Sequence, residues 1–149
     1  MADLDFITDL SEGTFKVSLT RNPQKVSGNR ALLNRFEITF LTRSKAYAMD
    51  DGTVYVDNYG GNANDLIANV AVLNNINSIS AGISICIERT VKSMQATQSQ
   101  ETPDNERISG AKLLNIYIQD GIIFAIVEVV PVVTDSYEDL ITNLPITKR

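Results

Sequence analysis

Two apolar runs, Leu113 to Ile118 and Ile122 to Val130, flank the pair Asp120-Gly121. A two-residue Asp-Gly loop suits a type I′ turn, whose central positions both need positive φ and whose twist matches that of the strands it joins. The pattern therefore predicts a β-hairpin. In the first run Leu114, Ile116 and Ile118 share one face, and Asn115, Tyr117 and Gln119 share the other, by the two-residue period of a strand. The second run is apolar on both faces, Ile122, Phe124 and Ile126 against Ile123, Ala125 and Val127, with Glu128 as its first charge. Strands of that kind are usually covered on both sides. Helices are expected over one face, and a partner over the other face or the far end.

Upstream the spacing changes several times. Residues 1–13 hold four acids and read as a mobile or partner-dependent arm. Thr14 to Leu19 alternates with Phe15, Val17 and Leu19 on one side, a short strand, and 21–28 is a loop by its Pro, Asn and Gly. From Asn29, Leu33, Phe36 and Phe40 recur at helical spacing with Leu32 and Leu41 beside them, capped by Ser27 or Asn29 and ending near Arg43 or Lys45. Asp50-Asp51-Gly52 predicts a turn before an extended Thr53–Val56, and Asn58-Tyr59-Gly60-Gly61-Asn62 a tight corner. A second helix follows from Asn62 or Asn64, with Leu66, Ile67, Val70 and Leu73 as its apolar face. After an Asn-rich interruption, a third runs from Ile79 to Met94 and turns Ile79, Ile83, Cys86 or Ile87, and Val91 inward. Thr102-Pro103-Asp104 breaks the polar stretch that follows. Pro131 should weaken the ladder after the hairpin, and the tail from 135 reads as a second arm with a helical turn at Tyr137 to Ile141. The order implies an α+β fold in one domain, residues 1–149: a small mixed or antiparallel sheet with a C-terminal Asp-Gly hairpin packed against about three helices.

Composition narrows the chemistry. Of 149 residues 44% are apolar, enough for a sizeable core, and no apolar run approaches a bilayer span. The acidic N-terminus lacks the layout of a secretory signal, so a cytoplasmic site of synthesis is expected. There is no histidine and one cysteine, Cys86, which excludes a Ser-His triad, a Cys/His metal site and an internal disulfide. Cys86 itself, inside Ile83-Ser-Ile-Cys-Ile87, reads as a small buried hydrophobe. Net charge is −5, yet Lys16 to Lys45 holds seven basic residues against one acid, Glu37. That asymmetry suits either a solvated helix face or docking to an acidic partner. It does not suit nucleic acid, because the whole is acidic and the basic stretch offers few aromatics for stacking.

Hydrolysis would have to rest on carboxylates, a pair such as Glu88 and Glu106 held at glycosidase separation, but each sits beside an arginine and reads more simply as ion-paired. Gly60-Gly61 lacks the lysine of a phosphate loop and is explained by chain reversal. Tyr47, Tyr55 and Tyr59 could line a groove, though tyrosines bridging core and solvent are commoner. No cofactor or metal is expected. Assembly through a strand edge remains, with backbone groups supplying the contacts.

The run Leu32-Leu33-Asn34-Arg35-Phe36, then Leu41-Thr42-Arg43, then Asn58-Tyr59-Gly60, resembles the sheath-initiator (lysozyme-like baseplate wedge) family of contractile phage tails. Arg107-Ile108 matches the end of that family's Glu-Pro-Arg-Ile signature, while Asn105 and Glu106 stand where its Glu and Pro would be. The resemblance spans roughly Asn29 to Thr134. It implies a non-enzymatic virion protein, assembled in the host cytoplasm, that starts the contractile sheath by offering a strand edge to the first sheath ring. Its partners would be baseplate wedge proteins and the tail sheath protein, with the tail tube as a further neighbour, in multiple copies around the baseplate and without nucleic acid or membrane. By the same resemblance the wedge contact falls on Arg35, Glu106 and Arg107. The sheath contact falls on Glu128, Val129, Val130, Val132 and Val133, beyond the turn at Asp120 and Gly121. The alternative in the same class is a tail terminator or completion factor, and from another class a peptidoglycan glycosidase.

Overall fold

The computed structural model describes residues 3–4, 6–9, 16–19, 25–68, 75–134 and 140–146. Its elements run β1 (Asp3–Leu4), β2 (Phe6–Asp9), β3 (Lys16–Leu19), β4 (Lys25–Val26), α1 (Asn29–Leu41), β5 (Ala46–Ala48), β6 (Val54–Val56), α2 (Ala63–Ala68), α3 (Ile76–Thr97), a 3-10 turn at Asp104–Glu106, β7 (Ile108–Gln119), β8 (Ile122–Pro131) and β9 (Leu140–Ile146). This is an α+β fold, and every described strand pair is antiparallel. The main sheet has the order β7-β8-β9, while β1 pairs with β4, β2 with β3 and β5 with β6.

The central hairpin forms where the turn chemistry put it. Asp120 and Gly121 have φ of 51° and 75°, the two positive values a type I′ loop requires. The face assignment changes, however. Leu113 pairs with Val127 and Asn115 with Ile126, so Leu114 is an extra residue, a β-bulge. The bulge reverses the alternation: Ala111 and Leu113 face the core before it, Ile116 after it, and Leu114 is left exposed. No two-residue count can anticipate an inserted residue. Pro131 ends β8, as a residue without a ladder donor should.

The second departure is at the C-terminus. Leu140–Ile146, inside the expected arm, forms β9 and pairs along β8 from Ile123↔Ile146 to Val129↔Leu140. Leu140, Thr142, Leu144 and Ile146 alternate inward and are buried, and Thr142 donates to Glu37 on α1. A seven-residue strand containing Pro145 is weak as a local signal; burial of alternate residues against α1 stabilises it. At the other end, the described parts of 1–13 lie in β1 and β2, paired with β4 and β3. Thr14, Phe15, Val70, Leu73, Tyr137 and the tail from 147 lie outside the described residues.

Helices cover one face of the main sheet. α3 packs along β7, and α1 lies against β8, β9 and α3. Phe36 and Phe40, fully buried with rings 6.1 Å apart, meet Ile79, Ile83, Val127, Val129 and Leu144 in one cluster; each such side chain contributes about 2 kcal/mol of burial. The opposite face has no helix over it among the described residues. There Tyr117 stacks on Phe124 at 4.9 Å, accepts a hydrogen bond from Asn143 across β8, and half-shields the apolar stripe. Lys112 and Glu128 pair on that face.

Small residues set how closely the layers approach. At the 58–62 corner Gly60 has φ of 100° and Asn62 of 56°. A Cβ on Gly61 would stand 2.4 Å from Thr90 Oγ1 and 2.5 Å from the Phe40 carbonyl oxygen. Ser93 Oγ accepts from the Gly60 N–H, so α3 both packs on the corner and satisfies it. Thr90 and Ser93 were not in the expected inward set, which weighed only apolar residues.

Two outcomes follow. Gly61→Ala should lower stability by about 2 kcal/mol through overpacking against backbone that cannot move aside, read as a lower urea midpoint at unchanged m-value; an unchanged midpoint contradicts the close approach. Burial pushes the Cys86 thiol up to about 11, so the native protein should resist a thiol reagent at neutral pH and react only on unfolding.

Candidate functional site

Of the residues expected to contact a wedge partner, the fold brings Arg35 and Glu106 together. Glu106, at the end of the 3-10 turn, is 4% exposed. Its Oε1 accepts the Gly28 N–H at 2.7 Å and its Oε2 accepts from Arg35 Nη2 at 3.1 Å. Gly28 is the N-cap of α1, in the left-handed region at φ 63°, and its carbonyl accepts the Leu32 N–H at 3.1 Å. No side chain local to α1 caps it. The expected cap, Ser27 or Asn29, is replaced by a carboxylate 78 positions away, which also lies at the positive end of the helix dipole. Burial alone would raise the Glu106 pKa; the Gly28 N–H and the Arg35 guanidinium outweigh it and hold the carboxyl below its ordinary value.

This corrects the sequence reading in two ways. Glu106 is an internal clasp between α1 and the approach to β7, not an exposed contact. Its ion-pair partner is Arg35 rather than the adjacent Arg107. Arg107 instead pairs with Asp104, and its Nε is buried without an acceptor among the described residues. The Arg107 carbonyl accepts the Val132 N–H at 2.8 Å, and the Asp104 carbonyl accepts from Val133. The start of α1, the 3-10 turn and the end of β8 thus meet at one junction.

The expected sheath contact is corrected as well. β8 is the middle strand: Glu128 lies between Lys112 and Ile141, and Val129 between Ala111 and Leu140. Val130 pairs with Gly110, while Val132 and Val133 are held at the junction. None of these five sits on an outer strand. Across the described residues the outer strands are β7 and β9. β7 is partly guarded at its start, where the Gln98 amide exchanges two hydrogen bonds with the Ile108 backbone and Gln95 donates to the Ser109 carbonyl. Further along, the Asn115 side chain takes the Ile116 N–H beside the bulge at Leu114. On β9, Pro145 lacks a donor, and among the described residues no side chain bonds to the strand's backbone.

Beside the clasp a pocket of about 260 Å³ opens between α1 and the end of α3. Arg35, Thr39, Tyr59, Met94, Gln98 and Glu106 line it, and the Thr39 and Tyr59 hydroxyls approach at 3.4 Å. Among the described residues Glu106 is the one carboxylate in its lining; Glu88 is exposed on α3 and is not among the lining residues. A glycosidase needs two carboxylates across one cleft, with the acid's pKa raised, and Glu106 is shifted the other way. Burial of Glu106 had no signature in Pro103-Asp104-Asn105-Glu106-Arg107, and only a contact between distant segments creates it.

Comparison with protein-family models, curated proteins and solved structures finds no match to this chain.

Because the folded Glu106 pKa is depressed, its contribution is present above the ordinary carboxylate value of 4.5 and is lost as pH falls through the lowered value. Glu106→Gln should therefore lose about 2 kcal/mol at neutral pH and show a weaker fall in urea midpoint toward acid than the parent. Equal acid sensitivity of the two would contradict the clasp.

Proposed function

We propose that this protein is a structural component of a contractile tail baseplate. Held by wedge proteins, it starts the sheath by offering a strand edge to the first sheath ring. The observation that carries this reading is the three-stranded antiparallel sheet with helices on one face only and an outer strand, β9, whose edge is not paired among the described residues. Extended segments add to such edges through backbone hydrogen bonds, and that mode needs no catalytic group. β9 suits the task better than β7, which carries the bulge, the Asn115 side-chain bond and the two glutamines. Its inward residues and the Thr142–Glu37 bond anchor β9 to α1, so an added strand would extend a rigid sheet.

The junction at Asp104–Arg107 supports the wedge contact. Arg35 and Glu106 serve it from inside by fixing the start of α1 against the 3-10 turn. Arg107 is the group that would reach outward: its side chain is a quarter exposed, with the guanidinium already paired to Asp104 on one side and its Nε buried. A planar guanidinium is suited to a bidentate acceptor, which lysine would not replace.

The test is sheath polymerisation on isolated baseplates carrying Ile141→Lys with Asn143→Lys. Charged side chains along an edge strand oppose addition of another strand. Ile141 is exposed and faces Glu128 in register, so the fold tolerates an ammonium group there. Sheathed tails counted by electron microscopy should fall about tenfold or more. Normal sheaths on these baseplates would contradict the β9 edge.

A further inference from the structure

A second concave region lies away from the clasp and owes nothing to the baseplate reading. Ser44, Val56, Asn58, Asn62, Arg89 and Lys92 line a cleft of about 390 Å³ between the link from α1 to β5, the 58–62 corner and α3. Its rim is rigid. The Ser44 N–H donates to Asn62 Oδ1 at 2.6 Å, Asn62 Nδ2 donates to Ser44 Oγ at 3.0 Å, and Ser44 Oγ donates to the Tyr59 carbonyl at 3.1 Å. Asn62 holds this position from a left-handed backbone at φ 56°.

What lines the cleft is rich in donors and positive charge. Arg89 and Lys92 are exposed and three residues apart on α3, hence on one helix face, where like charges repel. Neither forms an ion pair among the described residues. Glu88, one turn before Lys92, makes none with it. Of the nearby acids, Asp65 is paired with Arg43, while Asp57 accepts the backbone N–H of Lys45 and Glu88 is exposed. In a chain of net charge −5, Arg89 and Lys92, in no ion pair among the described residues, line the cleft beside Asn58 and make it a local site of attraction for an oxyanion.

The cleft continues into apolar surface. Val56 belongs to the β5–β6 hairpin, in which Ala46 faces Val56 and Ala48 faces Val54. These four share one face by strand alternation, Tyr47 and Tyr55 the other, and all six are exposed, Val54 by 66% and Tyr55 by 60%. A two-stranded hairpin bare on both faces is marginal in water. A free phosphate would use the cations and leave this surface bare. An acidic polypeptide segment would use both.

We propose that the Arg89–Lys92 cleft and the aliphatic face of the β5–β6 hairpin bind one acidic segment of a partner polypeptide, a carboxylate seated in the cleft and an adjacent apolar residue on Val54 and Val56. The occupant is chosen by charge complementarity together with the continuity of cleft and hairpin. Random peptides displayed on a surface and selected on the immobilised full-length protein test it. Selection should enrich peptides with Asp or Glu next to aliphatic or aromatic residues. A labelled peptide from that pool should bind Arg89→Glu/Lys92→Glu at least about tenfold more weakly, and Val54→Ser/Val56→Ser more weakly too, with both variants melting as the parent does. Enrichment without acidic bias, or undiminished binding to the charge-reversed variant, overturns the proposal. Saturable binding of inorganic phosphate in the cleft by a protein that selects no acidic peptide also overturns it, since the ligand would then be a small anion.

Discussion

The rest of the structure depends on one buried carboxylate. Glu106 takes the N-terminal N–H of α1 through Gly28 and the guanidinium of Arg35, joining the first long helix to the approach of the central hairpin across 78 positions of sequence. A buried carboxylate is costly unless charge and donors surround it. Here the donors come from a helix terminus and from that helix's second turn, so α1 cannot shift along the sheet without exposing an unpaired charge. Once α1 is fixed, Phe36 and Phe40 face β8 and β9, and Glu37 reaches Thr142. The outer strand β9 is thereby locked to the same helix.

That arrangement decides which surfaces are free to meet partners. β8 carries the strongest apolar pattern in the chain but offers no free edge, because β7 and β9 occupy both its sides. Its helix-facing residues are buried and its other face is half-shielded by the Tyr117–Phe124 stack. Among the described residues the surfaces open to contact include the outer strands, the junction around Arg107, and the β5–β6 hairpin with its cationic cleft. They use different physics: backbone pairing, a planar guanidinium, and charge beside apolar area.

The sequence disclosed what local chemistry controls. Asp120-Gly121, the helical spacing from Leu32 to Leu41, Asn58 to Asn62 as a corner, and Ile79, Ile83, Cys86 or Ile87, and Val91 as an inward set are readable from turn preference and periodicity; both Cys86 and Ile87 are buried, and Val91 partly so. What escaped depends on distant contacts. β9 has a strand's alternation but holds Pro145, and only β8 beside it and α1 beneath it make it a strand. The bulge at Leu114 turns a correct strand into a wrong face assignment. Glu106 is a charged residue in a polar stretch, and nothing near it announces that Gly28 will be its partner. Thr90 and Ser93 are polar and add nothing to an apolar periodicity, although they fit the corner by being small and able to hydrogen-bond.

The clasp is tested most directly by hydrogen exchange at the Gly28 amide, followed by NMR. If Glu106 holds that N–H as described, the amide should exchange only through the opening that releases the Ala125 and Val127 amides of β8, with the same free energy. Rapid exchange at Gly28, as for a solvent-exposed turn beside a protected sheet, would contradict the claim that this carboxylate joins helix to sheet.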